Sequence, residues 1–182
     1  MVKVLLDEGL ARTDRMTKRY RVNGDTISRW ARHKKHPLPA REINGQLACA
    51  FDELMEMEGY DRLIGERRER WKMQRPLLPI EVARLLGYCK KNGKPNTVTA
   101  QRAMRRSVRW RKERLKAINA AKTEEALAKA VEAMTPPPKW YIPSFAVGGS
   151  YYANRDRVFN LAQSLNTFGS VPGIEDAKLE VS

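Results

Sequence analysis

Proline sets the outer limits of every helix this chain can form, because the ring removes an amide donor and clashes with the preceding helical turn. His36-Pro37-Leu38-Pro39, Arg75-Pro76-Leu77-Leu78-Pro79 and Pro136-Pro137-Pro138 are such stops, and between them apolar residues recur at helical spacing over short stretches. Before the first stop, Val2, Leu5, Leu6 and Leu10, then Met16, Tyr20 and Val22, predict two short helices. Val22-Asn23-Gly24-Asp25-Thr26 breaks that pattern: Asn23 or Gly24 suits a positive φ, and Asp25 or Thr26 suits the N-cap of a third helix. That helix, predicted from Thr26 to about Lys35, places Ile27, Trp30 and Ala31 on a packing face and Ser28, Arg29, Arg32 and Lys35 largely off it. Trp30 shares its face with Ile27 and is assigned to the core.

Arg41 to Cys49 contains two short extended runs around Asn44-Gly45, a strong hairpin signal that predicts a wing. Asp52 opens a further helix with Leu54, Met55, Met57, Leu63 and Ile64, interrupted around Gly59 and ending in a charged linker helix from Glu66 to Lys72. Asp52, Glu53, Glu56 and Glu58 are expected to form its solvated face.

A second unit is expected from Arg75-Pro76 onward. Ile80 to Gly87 predicts a short helix with Pro79 in its first turn and a glycine stop. After the turn-rich KKNGKPNT, Thr97 or Thr99 caps a long helix through TAQRAMRRSVRWRKERLKAINAAK, with Ala103, Met104, Val108, Leu115 and Ile118 roughly inward. Thr123 starts an Ala-rich helix with Glu124 and Glu125 in its first turn. Residues 140–152 predict an aromatic hairpin about Gly148-Gly149, residues 156–165 a closing helix, and residues 169–182 a flexible tail. Helix, turn, basic helix, hairpin and helix thus occur in both halves, which suggests a degenerate tandem repeat. The expected fold class is mostly α with small β-hairpin wings, arranged as tandem winged helix-turn-helix units over residues 1–72 and 73–168.

Charge narrows the function. The chain has a net charge of +14. From Met1 to Arg75, 17 Lys+Arg face 12 Asp+Glu (net +5); from Pro76 to Ile118, 12 face 2 (net +10); beyond Ile118, 6 face 7 (net −1). Lysine and arginine gain affinity for phosphates by releasing condensed counterions, so a polyphosphate is the natural counterpart of the middle segment. No stretch approaches the ~20 consecutive apolar residues of a membrane span, and acidic residues occupy the N-terminal region where a signal peptide would be apolar; a cytoplasmic location without membrane contact is expected. Cys49 and Cys89 are too few for a disulfide framework and are expected to be reduced and buried. The sequence contains no P-loop, no nucleophile elbow and no His-Glu-x-x-His, so neither enzymatic chemistry nor a cofactor is expected. His33 and His36 lack a Cys or acidic partner at ligand spacing, so no metal is expected.

The run Tyr20-Arg21-Val22-Asn23-Gly24-Asp25-Thr26-Ile27-Ser28-Arg29-Trp30, then His36-Pro37-Leu38-Pro39, then Asn44-Gly45 leading to Phe51 and its helix, resembles the excisionase and AlpA-like winged-helix family of phages and mobile elements. The resemblance covers roughly residues 10–60. The wing here is less basic than the family's, and Asn23-Gly24 replaces its Ser-rich turn. Leu78 to Gly87 resembles the first helix of many such domains, although the KKNGKPN insertion after it is unusual. What the resemblance implies is a sequence-specific duplex DNA-binding protein that controls transcription or sets the direction of recombination, in the bacterial host cytoplasm or nucleoid.

A major groove admits one helix, so Thr26, Ser28, Arg29, Arg32 and His33 are candidates for base contact, with Arg29 and Arg32 best suited to grip guanine; Lys35 joins them as a DNA contact. In the second half Gln101, Arg102, Arg105, Arg106 and Arg109 favour phosphate contact, since Glu113 is the one acidic residue among them and the following Arg111, Lys112 and Arg114. Lys139 and Arg155, flanking the glycine hairpin with Tyr151 and Tyr152, are candidates for a second wing; equally, the tyrosines suit the core of the second unit. Self-association on DNA is compatible with this reading. A packaging or replication-origin recognition protein, an RNA- or ribosome-associated protein and a basic protein that meets an acidic partner are the alternatives.

Overall fold

The computed structural model describes residues 9–60, 63–133, 137, 138 and 141–165. It is mostly helical with two small antiparallel sheets. Packing divides the chain into two units, the first built from residues 1–78 and 145–155, the second from 79–144 and 156–182.

The first unit opens with strand β1 (Leu10–Arg12), where the sequence pattern suggests a helix. Ala11 is buried while its neighbours are not, the alternation of a strand with one face covered. The rest of that expected first helix, Val2 to Leu6, lies outside the described residues. Helix α1 (Thr13–Tyr20) follows, then Arg21, Val22 and Asn23 turn the chain into α2 (Gly24–Ala31). Strands β2 (Arg41–Ile43) and β3 (Gln46–Ala50) form the expected hairpin, and β1 pairs with the far side of β3 to give the order β1-β3-β2. Asn44 and Gly45 carry φ of 53° and 74°, as a two-residue primed turn requires. Helix α3 (Phe51–Glu58) ends at Gly59, and α4 (Gly65–Met73) follows.

Helix α4 is no charged linker: Trp71 is buried against the first unit's core, with its ring edge-on to Phe51. The division also departs from the expected boundary at residue 72. Leu77 exchanges both backbone hydrogen bonds with Ala153 (2.9 and 3.0 Å), at the end of the hairpin formed by β4 (Ser144–Val147) and β5 (Ser150–Ala153). Phe145, Val147 and Tyr152 of that hairpin belong to the same buried cluster as Met16, Tyr20, Ile27 and Trp30. The aromatic hairpin therefore closes the first core, and is not a wing of the second unit. A strand's local pattern says that it needs a core, not which one.

The second unit comprises α5 (Pro79–Leu85), α6 (Thr97–Ala120), α7 (Glu124–Glu132) and, from the junction at Arg155, α8 (Arg155–Ser164). Helix α5 packs on α6, burying Val82, Ala83 and Leu85 on one side and Ala100 and Met104 on the other. The side chain of Asn96, not Thr97 or Thr99, caps α6 by accepting from Thr99 N at 3.2 Å. Only the first half of α6 is held by a core: Ala100, Met104 and Ser107 are buried, whereas Leu115, expected inward, is 40% exposed. Ser107 is fixed by two hydrogen bonds, donating to Ala103 O and accepting from Ile142 N, both 2.9 Å. No helix among the described residues is long and apolar enough to cross a membrane.

Candidate nucleic-acid interface

The candidate site is built on α2. Its N-terminus is capped by Asn23, whose Oδ1 accepts from Thr26 N at 2.9 Å, so the cap lies earlier in the chain than the expected Asp25 or Thr26. The left-handed residue of the turn is Arg21 (φ 56°, ψ 48°), not Asn23 or Gly24; its N–H donates to Thr17 O and so closes α1. A three-residue turn, Arg21 to Asn23, thus joins the two short helices. Helix α2 also ends earlier than Lys35. Leu38, 1% exposed, donates its N–H to Trp30 O at 2.9 Å, so the chain must leave the helical path after Ala31 to bring Leu38 back into the core.

Ile27 and Trp30 turn into that core, and Trp30 meets Tyr20 and Tyr152 edge-on at 5.8 and 6.1 Å between ring centroids. Helix α2, with Trp30 and the basic run that follows the helix, forms one wall of an open groove of about 1170 Å³. Thr26, Ser28, Arg29, Arg32, His33 and Lys35 all line it, so the first-half candidates come together. Lys34 lines it too, a residue that sequence reasoning misses although it stands in the same basic run. Against four long cations stands one carboxylate, Asp25. Arg29 donates to Thr26 Oγ1 at 3.0 Å, which steadies one guanidinium on the exposed helix face.

His33 Nδ1 accepts from His36 N at 3.1 Å, so the hydrogen of the neutral ring resides on Nε2. The two imidazoles stack at 6.2 Å. Among the described residues no group of three His, Cys, Asp or Glu is placed to hold a metal ion.

The far edge of the groove comes from the aromatic hairpin. Gly148 N donates to His36 O at 2.8 Å, and Gly148 and Ser150 line the groove beside α2. Tyr152 O–H donates to Tyr20 O at 3.0 Å, tying the hairpin to the end of α1. Burial pushes the Tyr152 phenol up to about 12, against the pull of the Arg21 charge. No local signal in the sequence brings residues 148–150 to α2.

Below the site a polar network fixes α1 to α3 and α4. Glu58, expected on a solvated face, is 1% exposed. Arg19 grips both its oxygens at 2.6 Å, Tyr20 O–H donates to Oε1 and Trp71 Nε1–H to Oε2, each at 2.9 Å. Arg19 also donates to Trp71 O and Gln74 O and lies over the Trp71 ring. Burial pulls the Arg19 pKa down, but the Glu58 carboxylate more than reverses this and the guanidinium stays charged. Burial, and then the Glu58 charge, hold the Tyr20 phenol well above its ordinary range. Cys49 is buried as expected and its thiol is pushed up to about 12, by burial first and Glu53 second, whereas Cys89 is exposed.

In the second unit Gln101, Arg102, Arg105, Arg106 and Arg109 are exposed along the first half of α6. Arg155 is not available as a contact: it is 8% exposed, and its Nε donates to Arg75 O at 3.1 Å. Lys139 lies outside the described residues. Tyr152 is buried in the first core, not in the second as expected, because its ring packs on Tyr20 and Trp30, while Tyr151 is half-buried. No family model, curated protein or solved structure matches this chain.

Proposed function

We propose that this chain binds duplex DNA without chemistry of its own, with α2 as a recognition helix, the β2–β3 hairpin as its wing and α6 as a phosphate-contacting helix. The observation that carries the reading is the groove along α2, where Arg29 of the helix and Arg32, Lys34 and Lys35 of the run that follows it gather beside Trp30. A major groove ~12 Å wide accepts one α-helix, and guanidiniums on its outer face reach guanine O6 and N7. The wing contributes little charge, since Arg41 is paired with Glu53 and Glu42 sits beside it, so base recognition falls to α2. The exposed arginines of α6 supply attraction that is blind to sequence. Helix α5, its turn and α6 repeat the helix-turn-helix order in the second unit, and transcription control or direction of recombination is the role the family resemblance favours.

Selection from random duplexes, followed by a salt titration on the selected site, tests the proposal. Affinity falls steeply with salt as several phosphates release counterions. Arg29→Ala costs about 1–3 kcal/mol on the selected site and relaxes one or two base positions. Arg105→Ala with Arg106→Ala weakens all sequences alike and lowers the salt slope by about 2. Preference for structured RNA over duplex in direct competition, or an equal loss on every sequence from Arg29→Ala, overturns the assignment.

A further inference from the structure

The outer part of the second unit is a pair of helices with almost no core of its own. From Arg111 to Ala120 no residue of α6 is buried, and α7 packs back on α6 without burying any of its nine residues. Leu115, Leu127 and Val131 are 40%, 42% and 47% exposed. Leu127 and Val131 are four apart and so neighbours on one helix face. An isolated helix shorter than ~12–15 residues is marginal in water, and most helical stability comes from covering an apolar face. Helix α7 is below that length, and its apolar face is open.

Charge decides what covers it. Helix α7 carries Glu124, Glu125 and Glu132 against Lys129, and Lys129 pairs with Glu125 at 3.1 Å. The adjoining stretch of α6 carries Arg111, Lys112, Arg114 and Lys116 against Glu113. A nucleic acid is repelled by the excess carboxylates of α7, so the polyanion that suits the inner half of α6 does not suit this end. An acidic helix joined to a basic one makes a self-complementary surface, which is what a two-fold contact requires: each acidic helix meets the basic helix of the other copy.

We propose that the outer half of α6 and α7 together form a self-association surface, occupied by a second copy of this chain. Glu124, Glu125 and Glu132 face the cations of the other copy's α6, around an apolar centre of Leu115, Leu127 and Val131. The proposal stands apart from the DNA-binding reading, because the measurement uses the full chain with no nucleic acid present.

Sedimentation equilibrium of the 20.9 kDa chain should return twice that mass at low salt, with dissociation favoured as salt screens the charge pairs. Leu127→Glu with Val131→Glu weakens self-association roughly 100-fold, because both apolar side chains leave the interface. Glutamate is a good helix former at these exposed positions, so far-ultraviolet circular dichroism of that variant matches the parent. A Glu124→Lys, Glu125→Lys chain and a Lys112→Glu, Lys116→Glu chain each self-associate poorly, yet mixed together they form a heterodimer. A parent that stays monomeric at every concentration, an apolar double variant that dimerises as well as the parent, or a mixture that fails to pair would each overturn it.

Discussion

Four donors from three side chains converge on the two oxygens of Glu58, and all of them come from α1 or α4, which contribute Arg19, Tyr20 and Trp71. A carboxylate taken out of water is tolerated only when such partners replace its hydration. Glu58→Ala removes the charge but leaves Arg19 buried, and it should cost about 3–5 kcal/mol in urea unfolding. Replacing both partners, Arg19→Met with Glu58→Leu, should recover much of that loss; full additivity of the two single losses would show the pair to be energetically uncoupled. Nothing in the run Asp52-Glu53-Leu54-Met55-Glu56-Met57-Glu58 distinguishes the buried carboxylate from its solvated neighbours. Its partners stand 38 and 39 residues earlier and 13 later, beyond the reach of any local pattern.

Elements whose formation depends on neighbouring residues were legible in the sequence. Asn44-Gly45 and Gly148-Gly149 mark both hairpins, because those turns demand positive φ. The end of α2 was less legible, since it is set by where Leu38 must pack. Its capping residue and the left-handed turn were off by only a few positions, because Asn, Asp and Thr compete as caps and an arginine rarely takes φ of 56°. Gly148 is held twice over. It has φ of 55°, and a Cβ there would overlap the Trp30 ring. Gly148→Ala should therefore lose about 2–4 kcal/mol in thermal or urea unfolding, combining backbone strain with overpacking. Gly149→Ala shares the unfavourable φ, but would meet only His33 Nε2 at an ordinary 3.7 Å, so it should lose less. Equal losses for the two variants would mean that Trp30 moves aside freely.

At the scale of the molecule, the repetition of helix, turn, basic helix and hairpin suggests two copies in succession, but the chain does not respect that order. The candidate base-contacting residues of α2 and of the basic run after it were legible because basic and apolar positions separate along Thr26 to Lys35; the groove's second wall was not, because it arrives from residues 148–150. A fragment of residues 1–78 lacks Phe145, Val147 and Tyr152, and leaves Tyr20 and Trp30 without their covering rings. Such a fragment should show poor amide dispersion in NMR spectra and no cooperative melting, while joining residues 144–155 to it through a flexible linker restores both. Cooperative unfolding of the bare fragment would show the hairpin to be dispensable. The bond from Tyr152 to Tyr20 spans 132 residues. At ~5–20 residues per second of translation, roughly 7–26 s separate the emergence of its two ends. Throughout that interval the nascent N-terminal helices must keep an unfinished aromatic cluster from aggregating, which makes them natural clients for a chaperone until the closing strand has been synthesised.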